Sequence, residues 1–293
     1  MTKARFIQRL LHLPRRSLRE LVMCTRLVAL WLANRYRRSL VIDISGPVVS
    51  LTTFGNRADR AYLAIESIAA GLLKPSRLIL WIDEPTLLNN PPETLQRLRR
   101  RGLEILECYD YGPHKKYYPY VQSQQIFDRS LVTADDDVLY PNYWLKTLVA
   151  ASEQYPDSIN CYIAHVMSLD KGTIRNYRQW KPCDSTRTDA LNVAIGMGGA
   201  IYPAPFLIVL KQAGSHFESC CPRGDDLWLH AQALRSGYTT RQIFSKLPYL
   251  SFQTIPGMGN AALSHENVTR GHGNDIQIKA TYTEEDFRLL QSH

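Results

Sequence analysis

The sequence has no apolar run long enough to cross a lipid bilayer. Its longest mainly apolar stretch, Leu21–Ala33, is interrupted by Thr25 and Arg26, whereas a spanning helix needs about 20 apolar residues. No small-residue cleavage site of the Ala-x-Ala type follows this stretch, which disfavours a signal peptide. We therefore expect neither a membrane span nor a secreted protein.

Cysteine spacings typical of zinc sites or disulfide frameworks are also missing. None of the six cysteines stands in a CxxC spacing. Cys220 and Cys221 are adjacent, and such a pair is badly placed for a mutual disulfide. We expect free thiols and a cytoplasmic location.

Most of the chain lacks any surplus of positive charge. Residues 1–38 hold ten Lys or Arg and one acid, a net charge of +9, and the rest holds 35 − 10 = 25 basic and 27 − 1 = 26 acidic residues, a net charge of −1. A nucleic-acid-binding body needs a basic face, so no nucleic-acid partner is expected. Since repeats and low-complexity linkers are missing too, we predict two parts, a basic leader over 1–40 and one folded domain over 41–293.

The leader is a basic amphipathic segment. It mixes Leu, Val, Phe and Trp with Arg at roughly helical spacing. Such a helix can lie on an anionic membrane surface, or it can pack on the domain or on a partner. We favour the first alternative, which predicts a protein held peripherally on the inner face of a membrane.

Short apolar runs alternate with segments of helical periodicity after the leader. Strands are predicted at Val48–Phe54 and in SRLILWIDEP, LEILECYD and RSLVTA, and helices in RADRAYLAIESIAAG and PPETLQRLRRRG and over Tyr120–Asp128. This alternation is typical of a parallel sheet with right-handed crossovers. We predict an α/β fold with a mostly parallel central sheet flanked by helices.

Polar side chains stand where the predicted strands end. Ligands of such sheets bind beyond the carboxyl ends of the strands, so one crevice is expected to collect these residues. They are Thr52, Thr53, Asp83, Asp110, Asp135, Asp136 and Asp137.

Three consecutive aspartates follow the fourth strand, in VTADDDVLYP. Carboxylates this close repel one another, and their pKa values rise unless a positive charge lies among them. Carboxylate oxygens are the ligands that Mg²⁺ and Mn²⁺ prefer, and such a cation can bridge the phosphates of a nucleotide. The alternative is a turn that caps the next helix, for which one aspartate would suffice.

Five motifs stand in an order and spacing that resemble a known family. They are VVSLTTFGNR, LILWIDE, GPHKKYYP, VTADDDVLYP and GDDLWLHAQALRSG, and together they span Val48–Gly237. This part of the chain resembles the GT-A glycosyltransferases, most closely the family 2-like bacterial enzymes of surface-polysaccharide assembly. The resemblance implies a Rossmann-like GT-A fold and a hexosyltransferase-type enzyme. It would move a sugar, with inversion, from a nucleotide-sugar donor (a UDP-sugar is favoured) to a hydroxyl of a glycan or lipid-linked acceptor.

The resemblance also implies roles for the acidic residues. Asp137 would bind Mn²⁺ or Mg²⁺, with Asp135 reaching the ribose or the metal, because alternate residues of an extended segment point the same way. Asp136 is kept among the donor-binding residues, although it would turn aside into a structural hydrogen bond. Asp225 and Asp226 open a predicted helix, and this pair would supply the base that deprotonates the acceptor hydroxyl.

Further donor-side residues follow from the same motifs. Thr52, Thr53 and Asp83 would line the nucleoside pocket. Lys115 would neutralise the diphosphate or lie in a solvated basic loop, and both alternatives stay open. Lys116 is a weaker candidate of the same kind.

Two loops offer weaker signals. Gly198 and Gly199, in IGMGGAIYP, would let the backbone approach the donor or form a tight bend. His265 is a candidate metal ligand in a polar loop near the C-terminus, with His272 as its alternative. Tyr177–Trp180 forms either an aromatic platform for an acceptor or local core.

Two other functions remain as alternatives. A nucleotidyltransferase acting on sugar phosphates shares such a fold and metal-binding aspartates, but it typically has a Gly-rich basic loop after the first strand, and SLTTFGNRADR has one Gly. A non-catalytic basic adaptor for membranes or nucleic acids is the other alternative, and the neutral body disfavours it for nucleic acids.

Overall fold

The computed structural model describes residues 15–170, 172–248, 251–258 and 273–291. The first elements are α1 (Arg15–Tyr36), β1 (Val48–Thr52), α2 (Ala58–Ala69), β2 (Arg77–Ile82), α3 (Pro85–Asn89), α4 (Glu93–Arg99), β3 (Leu103–Glu107), α5 (Tyr118–Ser123), β4 (Leu131–Thr133), β5 (Val138–Leu139), α6 (Trp144–Gln154) and β6 (Ser158–Cys161).

The remaining elements are β7 (Ala164–Val166), β8 (Leu169–Asp170), β9 (Thr173–Ile174), β10 (Lys181–Pro182), β11 (Thr188–Asp189), β12 (Asn192–Ala194), β13 (Ala200–Tyr202), α7 (Ala204–Ala213), α8 (Phe217–Cys220), α9 (Asp225–Arg235), β14 (Thr239–Gln242), β15 (Gln253–Thr254), α10 (Gly273–Thr281) and α11 (Glu284–Gln291). Short 3₁₀ turns precede α2, α5 and β13 at Gly55–Arg57, Gly112–Lys116 and Gly196–Gly198.

The central sheet has eight strands in the order β11-β14-β6-β13-β4-β1-β2-β3. β1 pairs in parallel with β2 and β4, β2 with β3, and β6 with β14, whereas β13 and β11 run in the opposite direction. The predicted α/β class with a mostly parallel central sheet flanked by helices is therefore confirmed.

The alternation of side chains along the buried strands builds a core on each face of this sheet. Val48 and Ile79 pack into one cluster of buried residues with Phe206 and Phe217, and Val49 and Leu80 pack into the other. Since successive strand residues point to opposite faces, strands that are apolar throughout must be covered on both sides. This is why they read as continuous apolar runs.

The predicted helix over Tyr120–Asp128 is wrong in its bounds. Helix α5 begins at Tyr118 with Pro119 in its first turn, where a missing backbone N–H costs nothing. It ends at Ser123, because Gln124 has an extended backbone (φ −91°, ψ 142°). The chain from there to β4 is not helical.

Helix α1 packs against the body of the protein along one face. Its Leu30 is buried with Leu63 of α2, Leu139 of β5 and Met258. The Arg26 guanidinium donates hydrogen bonds to the Gln253 side chain (2.9 Å) and the Tyr140 carbonyl (3.1 Å). The outer face of the same helix is exposed, and in the part of the chain that the structure describes no helix is both long and apolar enough to cross a bilayer.

A buried polar network fixes the end of α1. Glu66 of α2 is fully buried and lies 2.5 Å from the guanidinium of Arg101. The Asn34 amide donates to Glu66 (3.1 Å) and accepts a hydrogen bond from Arg97 (2.9 Å). Because buried polar groups without partners are costly, this network specifies how α1 docks on α2 and α4.

Candidate functional site

The predicted site residues that the structure describes lie at one edge of the central sheet. The ends of β1, β2 and β4 deliver Thr53, Asp83 and Asp135–Asp137 to this edge. β13 runs in the opposite direction, so the glycines that precede it reach the same edge. Helix α9 begins there with Asp225.

Asp136 turns into the protein. Its carboxylate accepts a hydrogen bond from the Thr53 hydroxyl (2.7 Å) and from Nε of Arg57 (3.1 and 3.2 Å to its two oxygens). The residue is buried, and so is Thr53. Asp136 thus makes the structural hydrogen bond expected for it, while a donor-binding role stays a prediction.

Arg57 supplies a positive charge that three neighbouring carboxylates require. Its guanidinium contacts Asp136 and lies 3.0 Å from the Asp137 carboxylate, and it also donates to the Met258 carbonyl (3.2 Å). Burial lowers the pKa of Arg57, but its two carboxylate partners outweigh burial and raise it above its ordinary value. The sequence reasoning did not single out Arg57, since one Arg after a turn is an ordinary feature.

Asp137 keeps a more accessible carboxylate. Burial raises its pKa first, and the charge of Asp135 raises it further, while Arg57 lowers it. Its backbone carbonyl accepts a hydrogen bond from the N–H of Ile255 (2.7 Å), next to the pairing of β5 with β15. The short β5–β15 ribbon therefore holds the backbone of Asp137.

Asp135 lies on the other side of the cluster. Its carboxylate is 2.5 Å from Nζ of Lys116, and its backbone N–H donates to the Tyr140 hydroxyl (2.6 Å). The ammonium of Lys116 also lies 3.8 Å from the Asp225 carboxylate. Burial lowers the pKa of Lys116, yet the surrounding aspartates, Asp135 first, raise it well above its ordinary value.

Asp226 completes the second acidic group. The backbone N–H of Gly196 donates to both oxygens of its carboxylate (3.1 and 3.3 Å). Burial and then the charge of Asp225 raise the pKa of Asp226 well above its ordinary value. A carboxylate with a raised pKa is a stronger base, which suits the abstraction of a proton.

Lys115 is buried rather than solvated. Its ammonium lies 2.8 Å from Asp83 and 3.1 Å from Asp110, and only 4% of the residue is exposed. Burial lowers the pKa of Lys115, and the two carboxylates raise it above its ordinary value. The alternative of a solvated basic loop at this lysine is therefore wrong.

The Thr52 hydroxyl is also engaged, since it donates to the Trp81 carbonyl (3.0 Å).

Neighbouring protein atoms fill the space beside the two predicted donor-binding glycines. A Cβ at Gly198 would lie 2.8 Å from Cβ of Tyr162, and one at Gly199 would lie 2.7 Å from Cζ2 of Trp144. Gly199 also has φ +82°, which L side chains rarely adopt. The tight-bend alternative explains both glycines, and their donor-binding role stays a prediction.

The two aromatic residues of the Tyr177–Trp180 segment pack with the core. Trp180 is buried, and Tyr177 packs beside it with ring centroids 4.9 Å apart. The backbone N–H of Tyr177 donates to Asp275 of α10 (2.7 Å). These contacts fit the local-core alternative for this segment.

The chemistry of the crevice fits a hard divalent cation. Five carboxylates face two cationic side chains there. If every aspartate is ionised, this is an excess of 5 − 2 = 3 negative charges. The carboxylates are those of Asp135, Asp136, Asp137, Asp225 and Asp226, and the cations are Arg57 and Lys116. Within the described ranges, no group of three or more His, Cys, Asp or Glu is arranged to hold a metal. Mg²⁺ is commonly bound by one or two carboxylates plus substrate phosphates, and Asp135 and Asp137 would suffice for that. His265 and His272 lie outside the described residues.

The fold of this chain is similar to those of solved structures. No family model matches the chain, and no curated protein matches it. A solved structure of GalNAc-T7 with UDP, GalNAc and Mn²⁺ is similar to 67% of this chain at 10% identity and a TM-score of 0.47. The similar part spans 41% of that chain, well under half of its length.

Proposed function

We propose that this protein is a metal-dependent glycosyltransferase of the GT-A type. It transfers a sugar from a nucleotide-sugar donor, for which a UDP-sugar is favoured, to a hydroxyl of a glycan or lipid-linked acceptor. The observation that carries the proposal is the meeting of two acidic groups, Asp135–Asp137 and Asp225–Asp226, in one crevice at the carboxyl edge of a mostly parallel sheet.

The strand-end aspartates form the donor side. Asp137, with Asp135, would hold Mn²⁺ or Mg²⁺, which supplies positive charge to the departing diphosphate. Arg57 keeps Asp136 and Asp137 in place and lowers their mutual repulsion. Thr52 and Asp83 would border the nucleoside, with Lys115 holding Asp83.

The aspartates of α9 form the acceptor side. Asp226 takes the proton of the acceptor hydroxyl, because its raised pKa makes it a stronger base than an ordinary aspartate and the N–H of Gly196 fixes its orientation. The attack of that hydroxyl on the sugar displaces the nucleotide in one step, so no covalent enzyme intermediate is needed. One displacement gives inversion at the sugar carbon.

Thermal stabilisation by nucleotides tests this function directly. We expect UDP with Mn²⁺ to raise the melting temperature, with a smaller effect of either alone, because a ligand that binds only the folded state stabilises it by mass action. GDP, CDP and TMP with Mn²⁺ are the comparison ligands. A protein that responds to none of them contradicts the proposal and favours the adaptor alternative.

Three Asp→Asn variants assign the two sides. Asp137→Asn is expected to abolish the Mn²⁺-dependent shift, whereas Asp226→Asn keeps the shift and stops transfer. Asp128→Asn is the matched control, since 77% of that side chain is exposed. Normal transfer by both site variants would show that the assignment is wrong.

We further propose that the outer face of α1 contacts an anionic membrane. Leu21, Val28, Trp31 and Leu32 are exposed there by 42 to 57%, and Arg19 and Arg35 of the same helix are exposed too. This combination of apolar and basic side chains suits an interfacial helix. It would bring the crevice to a lipid-linked acceptor.

Vesicle sedimentation tests the membrane contact. Vesicles of phosphatidylglycerol and phosphatidylcholine are expected to pellet the protein, and Trp31→Ser is expected to weaken that binding about tenfold or more. Ile44→Ser is the control, because Ile44 is exposed by 82% but lies outside α1. Equal binding of both variants and the wild type would exclude α1 as the contact.

A further inference from the structure

The two adjacent lysines of the Gly112–Lys116 turn point to different partners. Lys115 lies between Asp83 and Asp110. Lys116 lies between Asp135, which ends β4, and Asp225, which begins α9. In the part of the chain that the structure describes, Lys116 is the side chain that forms ion pairs with both acidic groups of the crevice.

The position of Lys116 is fixed from several directions. Its ammonium lies 2.5 Å from Asp135 and 3.8 Å from Asp225, and 16% of its side chain is exposed. A Cβ at Gly196 would lie 3.2 Å from this ammonium and 3.4 Å from the Asp226 carboxylate. The missing side chain at Gly196 thus leaves room for Lys116 and Asp226 to approach the same turn.

Electrostatics explains why a cation is needed at this point. Asp135 and Asp225 each have an acidic neighbour, and like charges in a partly buried crevice repel strongly. An ammonium between them converts this repulsion into attraction toward a common centre. The ion pairs therefore hold the end of β4 and the start of α9 at a set separation.

We infer that Lys116 is a positioning residue that sets the distance between the metal-side carboxylate Asp135 and the acceptor-side pair Asp225–Asp226. This inference rests on the proposed function. Lys116 also competes with a divalent cation for Asp135, since both positive charges occupy the same carboxylate. Its removal consequently has two opposite effects, a tighter metal site and a slower transfer.

Lys116→Met measures both effects. A positive neighbour changes the proton affinity of a carboxylate by roughly tenfold or more. We therefore expect Lys116→Met to bind Mn²⁺ about tenfold tighter than the wild type. Mn²⁺ is titrated alone, and its binding is followed by its electron paramagnetic resonance signal. The rate of sugar transfer, measured as UDP release from UDP-sugars, is expected to fall roughly 100-fold, because a catalytic group misplaced by about 1 Å can cost this much. Lys116→Arg should restore most of the rate, and the exposed Lys146→Met is the control.

A double-mutant cycle with Asp225→Asn adds a test that does not depend on activity. In the wild-type background, Asp225→Asn removes one of the two ion pairs of Lys116. The lysine then pairs more strongly with Asp135, which weakens Mn²⁺ binding. In the Lys116→Met background this effect should be at least threefold smaller, because the connection between the two carboxylates is gone. The cycle also distinguishes coupling between Lys116 and Asp225 from a general loss of folding, because misfolding would lower the Mn²⁺ affinity of every variant.

The outcomes separate this inference from the proposed function. A wild type that binds neither Mn²⁺ nor nucleotide overturns both. A wild type that binds them, with Mn²⁺ affinity in Lys116→Met unchanged or weaker, or with equal Asp225→Asn effects in the two backgrounds, overturns the role of Lys116 and leaves the glycosyltransferase proposal standing.

Discussion

At the scale of single residues, two cations make the aspartate cluster possible. Arg57 contacts Asp136 and Asp137, and Lys116 contacts Asp135. Without these partners, mutual repulsion and burial of three consecutive carboxylates would destabilise the folded state. If all five aspartates of the crevice are ionised, these two cations leave an excess of negative charge that would attract a divalent ion.

Removal of the Arg57 charge is expected to destabilise the fold. Arg57→Ala leaves the buried Asp136 carboxylate with Thr53 as its remaining partner, and breaking a buried ion pair costs roughly 3 kcal/mol. Urea denaturation at pH 7 gives the free energy of unfolding. Arg100→Ala is the control, because its ion pair with Glu93 is more than half exposed. Equal losses in both variants would contradict the structural role of Arg57.

The raised pKa of Asp226 predicts a pH-dependent rate. A base must be ionised to accept a proton, and an acid with a raised pKa stays protonated to higher pH, so transfer should increase as pH rises through that pKa. Asp225→Asn removes one cause of the raised pKa of Asp226. The rise of the rate with pH should therefore occur at lower pH in this variant. The profile of kcat/KM against pH measures this, and a rise at an unchanged pH would exclude coupling between the two aspartates.

At the scale of elements, α1 has two different apolar faces. The inner face packs Leu30 against α2, β5 and Met258, and the outer face exposes Val28 and Trp31. Helix α1 therefore packs as part of the folded domain along its inner face. Removal of residues 1–38 would expose that buried cluster, so single substitutions test the helix better than a truncation.

Two substitutions in α1 distinguish its faces. Leu30→Ala creates a cavity beside Leu63 and Met258 and should lower the free energy of unfolding by about 2 to 4 kcal/mol. Val28→Ala removes an exposed side chain and should change it by less than about 0.5 kcal/mol. Urea denaturation at one pH compares them. If both changes are small, the inner face does not contribute to the core.

At the scale of the whole molecule, two buried histidines connect folding to pH. His114 contacts the Cys221 carbonyl (2.7 Å), and His230 contacts the Ala190 carbonyl (2.7 Å). Burial lowers the pKa of each ring from 6.5 to about 4. The unfolded chain therefore binds protons between these two pKa values that the folded protein does not.

Stability should consequently fall as pH decreases from about 6.5 toward 4. The contribution of each histidine is fully present above pH 6.5, and at pH 5 it is smaller by roughly 2 kcal/mol. Urea denaturation across this range for the wild type and His230→Gln isolates one ring, since the other groups titrate equally in both. Identical slopes would show that His230 binds protons equally in the folded and unfolded states, so that its pKa is not lowered by folding.

The sequence alone predicted the α/β class, the positions of β1 to β4 and the gathering of strand-end aspartates. Local patterns suffice for these features, because strand periodicity and the direction of parallel strands determine which residues reach the carboxyl edge. The charge segregated into residues 1–38 is likewise a property of the sequence itself.

Only the tertiary structure decided which charges meet. Lys115 and Lys116 are neighbours in the chain, yet they pair with different carboxylates. Arg57 and Asp136 are 79 residues apart, and Asp135 and Asp225 are brought together by β4 and α9. Contacts between distant residues depend on how whole elements pack, and local periodicity carries no record of that packing.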